Sequence, residues 1–227
     1  MLYVGLVLGV VAGNVAAHAA GLDPLRVYIA TIVLIVPALI GARLLFIASE
    51  WKYYRRYPRR IWKRTEGGLM MYGAVPVMLL CSVLVLRAMH IGFGAFWDVS
   101  TFTILVGLIF TRVGCLLNGC CAGQPTRGWL GIRLPNTRGI WQKRVPTQAL
   151  EAACAAALLI VGMVMWRHMP FPGALFLLIM LSYSSARLLL ESAREHANRG
   201  RQFRVPHALS VIFVLSSIFV LALNWRR

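Results

Sequence analysis

The chain alternates between long apolar runs and short polar connections. Seven apolar runs can be marked, at residues 2–21, 28–49, 68–88, 97–119, 147–166, 172–192 and 206–225. A helix needs about 20 mostly apolar residues to cross the hydrocarbon layer of a bilayer. The pattern therefore predicts an all-α polytopic membrane protein with seven transmembrane helices. These form a single domain over residues 1–227.

Basic residues are concentrated in three of the connections. These lie at 50–66, 120–146 and 193–205, whereas the other connections carry few charges. With seven spans, the three basic connections share one side of the membrane. The positive-inside rule places that side in the cytoplasm.

Composition agrees with the apolar pattern. Apolar residues make up 59% of the chain and charged residues 14%, against roughly 25% charged in soluble domains. A soluble domain, a disordered chain and a β-barrel are excluded. The net charge is +17. Because the cations lie between apolar runs, membrane lipids with anionic headgroups are the expected partners, and nucleic acid is not.

Several ionisable residues fall inside the apolar runs, where charges are costly and mark functional sites. Arg43 lies in the second run, Arg112 in the fourth and Glu151 at the start of the fifth. The sixth run carries a polar set at spacings of four, four and three, which share one helical face. These are Tyr183, Arg187, Glu191 and Arg194.

These charges allow two interpretations. The first is an internal ion-pair network, with Arg187 paired to Glu191 and Glu151 paired to Arg112 or Arg43. The second is an anion site, because three arginines at depth face only two carboxylates. A phosphate fits such an excess, since a guanidinium donates a planar fork of hydrogen bonds.

Glycines and cysteines add further candidates. Glycines precede the third run and recur at the end of the fourth, where they favour either helix packing or close approach to a ligand.

Of the five cysteines, Cys81 and Cys154 are expected to pack as small apolar residues. Cys120 and Cys121 are interpreted as packing residues, or as an oxidisable pair if their face is extracytoplasmic. The spacing fits no zinc pattern, so no metal site and no cofactor are expected.

Five motifs, kept in order along the chain, give a resemblance to a known family. They are GARLLFI with Arg43, EGGLMMYGA from Glu66 to Ala74, TRVGCLLNGCCAG from Thr111 to Gly123, VPTQALEA with Gln148 and Glu151, and SYSSARLLLESARE with Tyr183 and Arg187. Together they resemble the prolipoprotein diacylglyceryl transferases. The resemblance implies seven spans with a short extracytoplasmic head between the fourth and fifth, at about 124–145.

The resemblance also implies a reaction and a place. The enzyme would move the diacylglyceryl group of phosphatidylglycerol to the lipobox cysteine in a prolipoprotein signal peptide, and glycerol 1-phosphate would leave. It would be a multi-pass protein of the bacterial cytoplasmic (inner) membrane, with its active site on the extracytoplasmic side. This orientation opposes the one that the loop charges favour.

Residue roles follow from the same resemblance. The residues expected to act in catalysis are Arg112, Arg187, Tyr183 and Tyr72, with the arginines on the phosphate. The residues expected to bind or orient the substrate are Arg43, Gly67, Gly68, Gly114, Asn118, Gly119, Gly123, Gln148, Glu151, Glu191 and Arg194. The attacking sulfur belongs to the substrate peptide, so no protein nucleophile is required.

The chain departs from the family pattern in the EGGLMMYGA motif, where Tyr72 stands in place of the usual histidine. A tyrosine with an ordinary pKa near 10 is a poor base at neutral pH. Cys115 and Cys120 are further departures. Three functions stay open: the family reaction, the same lipid donor with another acceptor, or non-catalytic binding of lipid or prolipoprotein. A transporter would show matching inverted halves, and none is visible.

Overall fold

The computed structural model describes residues 1–61, 71–129, 131–135, 139–193 and 204–224. Its helices are α1 (Leu2–Ala19), α2 (Pro24–Ser49), α3 (Trp51–Arg56), α4 (Met71–Ala88), α5 (Phe93–Leu117), α6 (Thr147–Met165), α7 (Ala174–Ser192) and α8 (Arg204–Asn224). Two strands, β1 (Ile132–Pro135) and β2 (Trp141–Arg144), and the 3-10 turns Pro58–Arg60 and Trp166–His168 complete the described elements.

A long helix occupies each of the seven predicted apolar runs. Four helices are long and apolar enough to cross a membrane, namely Leu2–Ala19, Pro24–Ser49, Phe93–Leu117 and Thr147–His168. Shorter apolar helices cover Gly73–Ala88, Ala174–Leu190 and Ser210–Asn224. Their outer faces expose large apolar side chains, as a lipid-facing surface requires. The membrane class is confirmed, and the count of seven spans stays a prediction.

The second helix begins four residues earlier than its apolar run predicts. Asp23 caps it, because one side-chain oxygen accepts hydrogen bonds from the backbone N–H groups of Leu25 at 2.9 Å and Arg26 at 3.3 Å. Pro24 occupies the first turn, where its missing N–H costs nothing. Polar capping chemistry thus places the boundary outside the apolar run.

Small residues let two helix pairs approach closely. In α1, Gly5, Gly9 and Gly13 are buried at intervals of four, and a Cβ at Gly9 would meet the backbone oxygen of Thr103 in α5. In the second pair, a Cβ on Gly41 of α2 would overlap the backbone oxygen of Gly73 in α4. Apolar burial drives helix association weakly in lipid, so backbone contact of this kind supplies much of the packing.

Helix α5 forms the centre of the bundle, and packs against α1, α4, α6 and α7. Its buried side chains include Trp97, Phe102 and Leu105. The Trp97 indole N–H donates to the Ser82 hydroxyl of α4 at 3.2 Å. The core therefore lies along α5, and the neighbouring helices take their positions from it.

A buried carboxylate aligns the beginnings of α5 and α7. Asp98 accepts hydrogen bonds from the backbone N–H groups of Gly173 at 2.6 Å and Phe176 at 3.0 Å. An acidic group at a helix N-terminus satisfies free N–H groups and complements the helix dipole. The two helices consequently run parallel, with both starts at the same end of the bundle.

A short β-hairpin lies within the residues predicted for the head. Strands β1 and β2 are antiparallel, with Ile132 opposite Arg144 and Pro135 opposite Trp141. The hairpin is joined to the preceding loop, because the Thr126 N–H donates to the Lys143 oxygen at 2.8 Å. The side of the membrane on which it lies stays a prediction.

The close approach of α2 and α4 leads to a stability prediction. Gly41→Ala forces a Cβ against the Gly73 carbonyl, and overpacking of this kind costs about 1–3 kcal/mol. We expect a lower thermal unfolding midpoint for the purified chain in detergent. Gly92→Ala is the matched control, since its Cβ would lie in ordinary van der Waals contact, 3.8 Å from the Cβ of Ala95. Equal midpoints for the two variants would contradict the packing account.

Candidate functional site

Three buried charged side chains meet inside the bundle, one from each of three helices. The Glu151 carboxylate oxygen Oε2 on α6 lies 2.5 Å from Arg112 Nε on α5 and 2.9 Å from Arg187 Nη1 on α7. Glu151 is 1% exposed, Arg112 6% and Arg187 8%. We call this set the charge cluster. It confirms part of the predicted ion-pair network.

Helix direction explains why these residues meet. Arg112 and Arg187 each lie five residues before the last residue of their helices, which run parallel. Helix α6 begins at the end where α5 and α7 finish, and Glu151 is in its second turn. All three side chains therefore reach the same level of the bundle.

The charge cluster holds two guanidinium groups and one carboxylate, a formal net charge of +1. Burying an ion costs several kcal/mol even when a partner compensates it. A net charge in this position attracts an anion more strongly than it would in water, because the local dielectric is low. The cluster can therefore bind an anionic group.

Two further polar side chains lie beside the charge cluster. The Tyr183 hydroxyl is buried next to the Arg112 guanidinium, one turn before Arg187 on α7. Gln148 lies one turn before Glu151 on α6 and is 1% exposed. Its side-chain oxygen makes no hydrogen bond within the part of the chain that is described. Both groups can serve a bound polar ligand.

The loop after α5 forms a rim beside these residues. Gln148 Nε2 donates to the Cys120 oxygen at 2.7 Å, and the Thr147 hydroxyl donates to the Cys121 oxygen at 3.0 Å. Arg144 Nη1 donates to the Gly123 oxygen at 3.3 Å. The start of α6 and the segment before it therefore fix the backbone of the rim.

The third arginine predicted at depth occupies a different environment. Arg43 on α2 donates from Nη2 to the Ile61 oxygen at 3.0 Å. Its guanidinium also lies 5.6 Å from the ring centre of Phe46 and 5.7 Å from that of Tyr54, in cation–π geometry. These contacts place Arg43 against the first basic connection.

Packing and backbone conformation explain why glycines occur in the TRVGCLLNGCCAG motif. A Cβ on Gly114 would lie 2.9 Å from the Met1 side chain, and one on Gly123 would meet the Val145 backbone oxygen. Gly119 has φ +65°, a left-handed conformation that glycine adopts without strain. Asn118 is the exposed residue that directly follows α5. Substrate contact by these four residues stays a prediction.

Five of the predicted site residues lie wholly or partly outside the described part of the chain. Gly67, Gly68 and Arg194 lie outside the described residues. Tyr72 and Glu191 belong to α4 and α7, but their side chains are outside the described set as well. The predicted pairing of Arg187 with Glu191 is therefore untested, whereas the pairing of Arg187 with Glu151 is present.

The sequence interpretation missed three residues that shape the site. Arg144 looks like a surface cation of the second basic connection, but it is 1% exposed and supports the rim. Thr147, next to the predicted Gln148, holds the same loop. Asp98 belongs to the buried charges, although it lies at the opposite end of α5 from the charge cluster. For Asp98, the sequence did offer a signal, because it is a single acidic residue near the start of a predicted span.

Comparison with known proteins gives a family match over nearly the whole chain. The model of the family described as "Prolipoprotein diacylglyceryl transferase" matches residues 1–223. The match includes every residue of the charge cluster and of the rim.

Individual relatives agree with the family match. A protein of Dehalococcoides mccartyi named phosphatidylglycerol--prolipoprotein diacylglyceryl transferase is 32% identical over 170 residues, which are 73% of this chain and 64% of the relative. A protein of Symbiobacterium thermophilum with the same name is 26% identical over 234 residues, covering 98% of this chain and 85% of the relative. The chain thus spans slightly less than two thirds of the Dehalococcoides protein.

The geometry of the charge cluster predicts the effect of removing its carboxylate. Glu151→Gln leaves two buried guanidinium groups without their shared counter-ion, and breaking a buried pair costs about 3–5 kcal/mol. We expect the thermal midpoint in detergent to fall well below that of the wild type. Glu50→Gln, on a partly exposed residue at the end of α2, is the control. Similar midpoints for the two variants would show that Glu151 does not hold the cluster together.

Proposed function

Because the chain belongs to the prolipoprotein diacylglyceryl transferase family, we propose that it catalyses this reaction. It takes the diacylglyceryl group from phosphatidylglycerol and attaches it to the lipobox cysteine in a prolipoprotein signal peptide. Glycerol 1-phosphate is released. The observation that carries the proposal is the buried charge cluster, which brings two guanidinium groups together among apolar helices.

The donor lipid supplies the anion that the charge cluster attracts. Phosphatidylglycerol carries one negative charge on a phosphodiester, and its acyl chains match the apolar surface of the helices. The Arg112 and Arg187 guanidinium groups bind phosphate oxygens through their donor forks. Glu151 orients both guanidinium groups.

Bond changes during transfer explain how the arginines act. The thiol sulfur forms a bond to the terminal glyceryl carbon, and the bond from this carbon to the phosphate oxygen breaks. The thiol proton leaves to a base or to water, and the electron pair stays on the phosphate. The phosphodiester becomes a monoester whose charge approaches −2. Because negative charge grows during the step, the two arginines stabilise the transition state more than the bound lipid.

Residues beside the charge cluster position the headgroup. The buried Tyr183 hydroxyl, next to Arg112, is placed to donate a hydrogen bond to the same phosphate. The Gln148 side-chain oxygen is placed to accept one from a glycerol hydroxyl. Asn118, Gly119 and the rim would hold the glycerol backbone, with Gly114, Gly123, Gly67 and Gly68 in supporting positions. Arg43, Glu191 and Arg194 complete the proposed binding set.

A second candidate function uses the same lipid and a different acceptor. It is favoured by Tyr72, which stands where the family motif usually carries a histidine. A phenol accepts a thiol proton poorly at neutral pH. If Tyr72 takes part in the usual reaction, it does so by hydrogen bonding. An acceptor with a more acidic nucleophile would need no base.

Transfer depends on Arg187 if the charge cluster binds the donor phosphate. We expect Arg187→Ala to reduce formation of lipidated lipobox peptide by at least about 100-fold, the usual loss when one transition-state donor is removed. The measurement is mass spectrometry of the peptide after incubation with phosphatidylglycerol and purified protein. A product heavier by one diacylglyceryl group identifies the reaction.

Two control variants accompany this assay. Arg187→Lys keeps the charge and loses the donor fork, so an intermediate rate is expected. Arg167→Ala changes an exposed arginine at the opposite end of the bundle and should leave the rate unchanged. Thermal midpoints show which variants are folded. A folded Arg187→Ala protein with the wild-type rate would refute the phosphate site, and lipid binding without transfer would favour the other acceptor.

The orientation of the chain is part of the proposal. With the charge cluster near the extracytoplasmic surface and seven spans, the C-terminus lies in the cytoplasm. We expect green fluorescent protein fused after Arg227 to fluoresce, and alkaline phosphatase fused at the same place to be inactive. An active phosphatase fusion would reverse the orientation and support the placement that the loop charges favour.

A further inference from the structure

Three cysteine side chains converge at the end of α5. The sulfur atoms of Cys115, Cys120 and Cys121 all lie within 4.8 Å of one another. Cys115 is in the last turn of the helix, and the other two follow the turn after it. We call these three residues the thiol cluster.

An unusual backbone path brings the sulfurs together. Gly119 has φ +65° and Cys121 has φ +59°, so the chain turns back twice within three residues. The Cys120 N–H donates to the Cys115 oxygen at 3.1 Å, which closes the turn against the helix. A left-handed conformation is unfavourable for a non-glycine residue, and it persists where surrounding contacts enforce it.

Helix α6 supplies those contacts. Its Gln148 and Thr147 side chains donate to the carbonyl oxygens of Cys120 and Cys121, at 2.7 Å and 3.0 Å. Without these hydrogen bonds, the thiols of Cys115 and Cys120, which are five residues apart in the chain, would be free to separate. The thiol cluster is therefore held by a neighbouring helix, as the ligands of a preorganised site are.

The thiol cluster lies about one helical turn from the charge cluster. Cys115 follows Arg112 by three residues on α5, and Gln148 precedes Glu151 by three residues on α6. One turn corresponds to about 5 Å along the helix axis.

We infer that the thiol cluster binds a thiophilic divalent cation, with Zn²⁺ as the best-matched ion. Zinc–sulfur bonds of about 2.3 Å in a tetrahedral site place sulfurs about 3.8 Å apart. Small side-chain rotations bring the three sulfurs from their present separation to that distance. On binding, each S–H group releases its proton to solvent and forms a Zn–S bond, and zinc keeps its charge.

Three thiolates and Zn²⁺ carry a net charge of −1, and the nearby Arg112 and Arg187 guanidinium groups carry charges of the opposite sign. Three protein ligands leave the fourth tetrahedral position to water or an added ligand. The inference departs from the expectation of no metal site, which rested on the odd number of cysteines, on their spacing and on the lack of a nearby histidine in the sequence.

Cobalt binding tests the site directly. Co²⁺ is added to the reduced full-length chain in detergent, and the thiolate-to-cobalt charge-transfer band is followed in the near ultraviolet. We expect one Co²⁺ per chain, displaced by Zn²⁺. Cys121→Ser should weaken binding by more than about 100-fold, because loss of a supporting contact alone costs 10–100-fold. Cys81→Ser and Cys154→Ser, which change cysteines within α4 and α6, should bind as the wild type does.

A second measurement needs no variant of the thiol cluster. Alkylation followed by mass spectrometry, with and without Zn²⁺, should show protection of Cys115, Cys120 and Cys121. The reactivity of Cys81 and Cys154 should not change.

The inference is overturned if the reduced wild-type chain gives no charge-transfer band, or if zinc protects none of the three thiols. A disulfide among them, with no metal bound after reduction, would assign the thiol cluster to redox chemistry instead. Neither measurement depends on the transferase reaction.

Discussion

A single carboxylate, that of Glu151, joins the three helices on which the candidate site is built. It lies between the Arg112 and Arg187 guanidinium groups, at 2.5 Å and 2.9 Å. Because ions are poorly solvated among apolar helices, neither arginine is stable at this depth without a counter-ion. The contact holds the ends of α5, α6 and α7 at a common level.

Stability alone does not explain such a cluster. Replacing a buried ion pair by well-packed apolar residues is often neutral or stabilising. A buried pair of guanidinium groups, each able to donate several hydrogen bonds to a phosphate, is therefore more readily understood as part of a binding site. Two guanidinium groups would stabilise the negative charge that grows on a departing phosphate, so the membership of the chain in its family and the chemistry of the charge cluster support the same proposal.

Helix α7 is held at both ends, and this determines the position of Arg187. At the beginning of α7, Asp98 of α5 accepts hydrogen bonds from the Gly173 and Phe176 N–H groups. Near its other end, the charge cluster joins it to the same α5 through Glu151. Helix α5 is thus the common support of the charge cluster, the rim and the thiol cluster.

The membrane class, the approximate helix boundaries and the polar residues at depth followed from the sequence. Apolar runs and buried charges carry large transfer energies, which local patterns reveal. The ordered motifs similarly identified the family. Helix α2 shows the limit of the apolar pattern, since its start depends on the cap formed by Asp23.

Tertiary structure alone decided which charges pair and which loop cations are buried. The sequence allowed Glu151 to serve Arg112 or Arg43, and the fold pairs it with Arg112 and Arg187. It likewise buries Arg144 under the rim and gathers three cysteine sulfurs that spacing did not connect. These contacts depend on helix direction and on the level at which each side chain enters the bundle. Sequence patterns describe individual segments, whereas contacts between segments are set by how the helices pack.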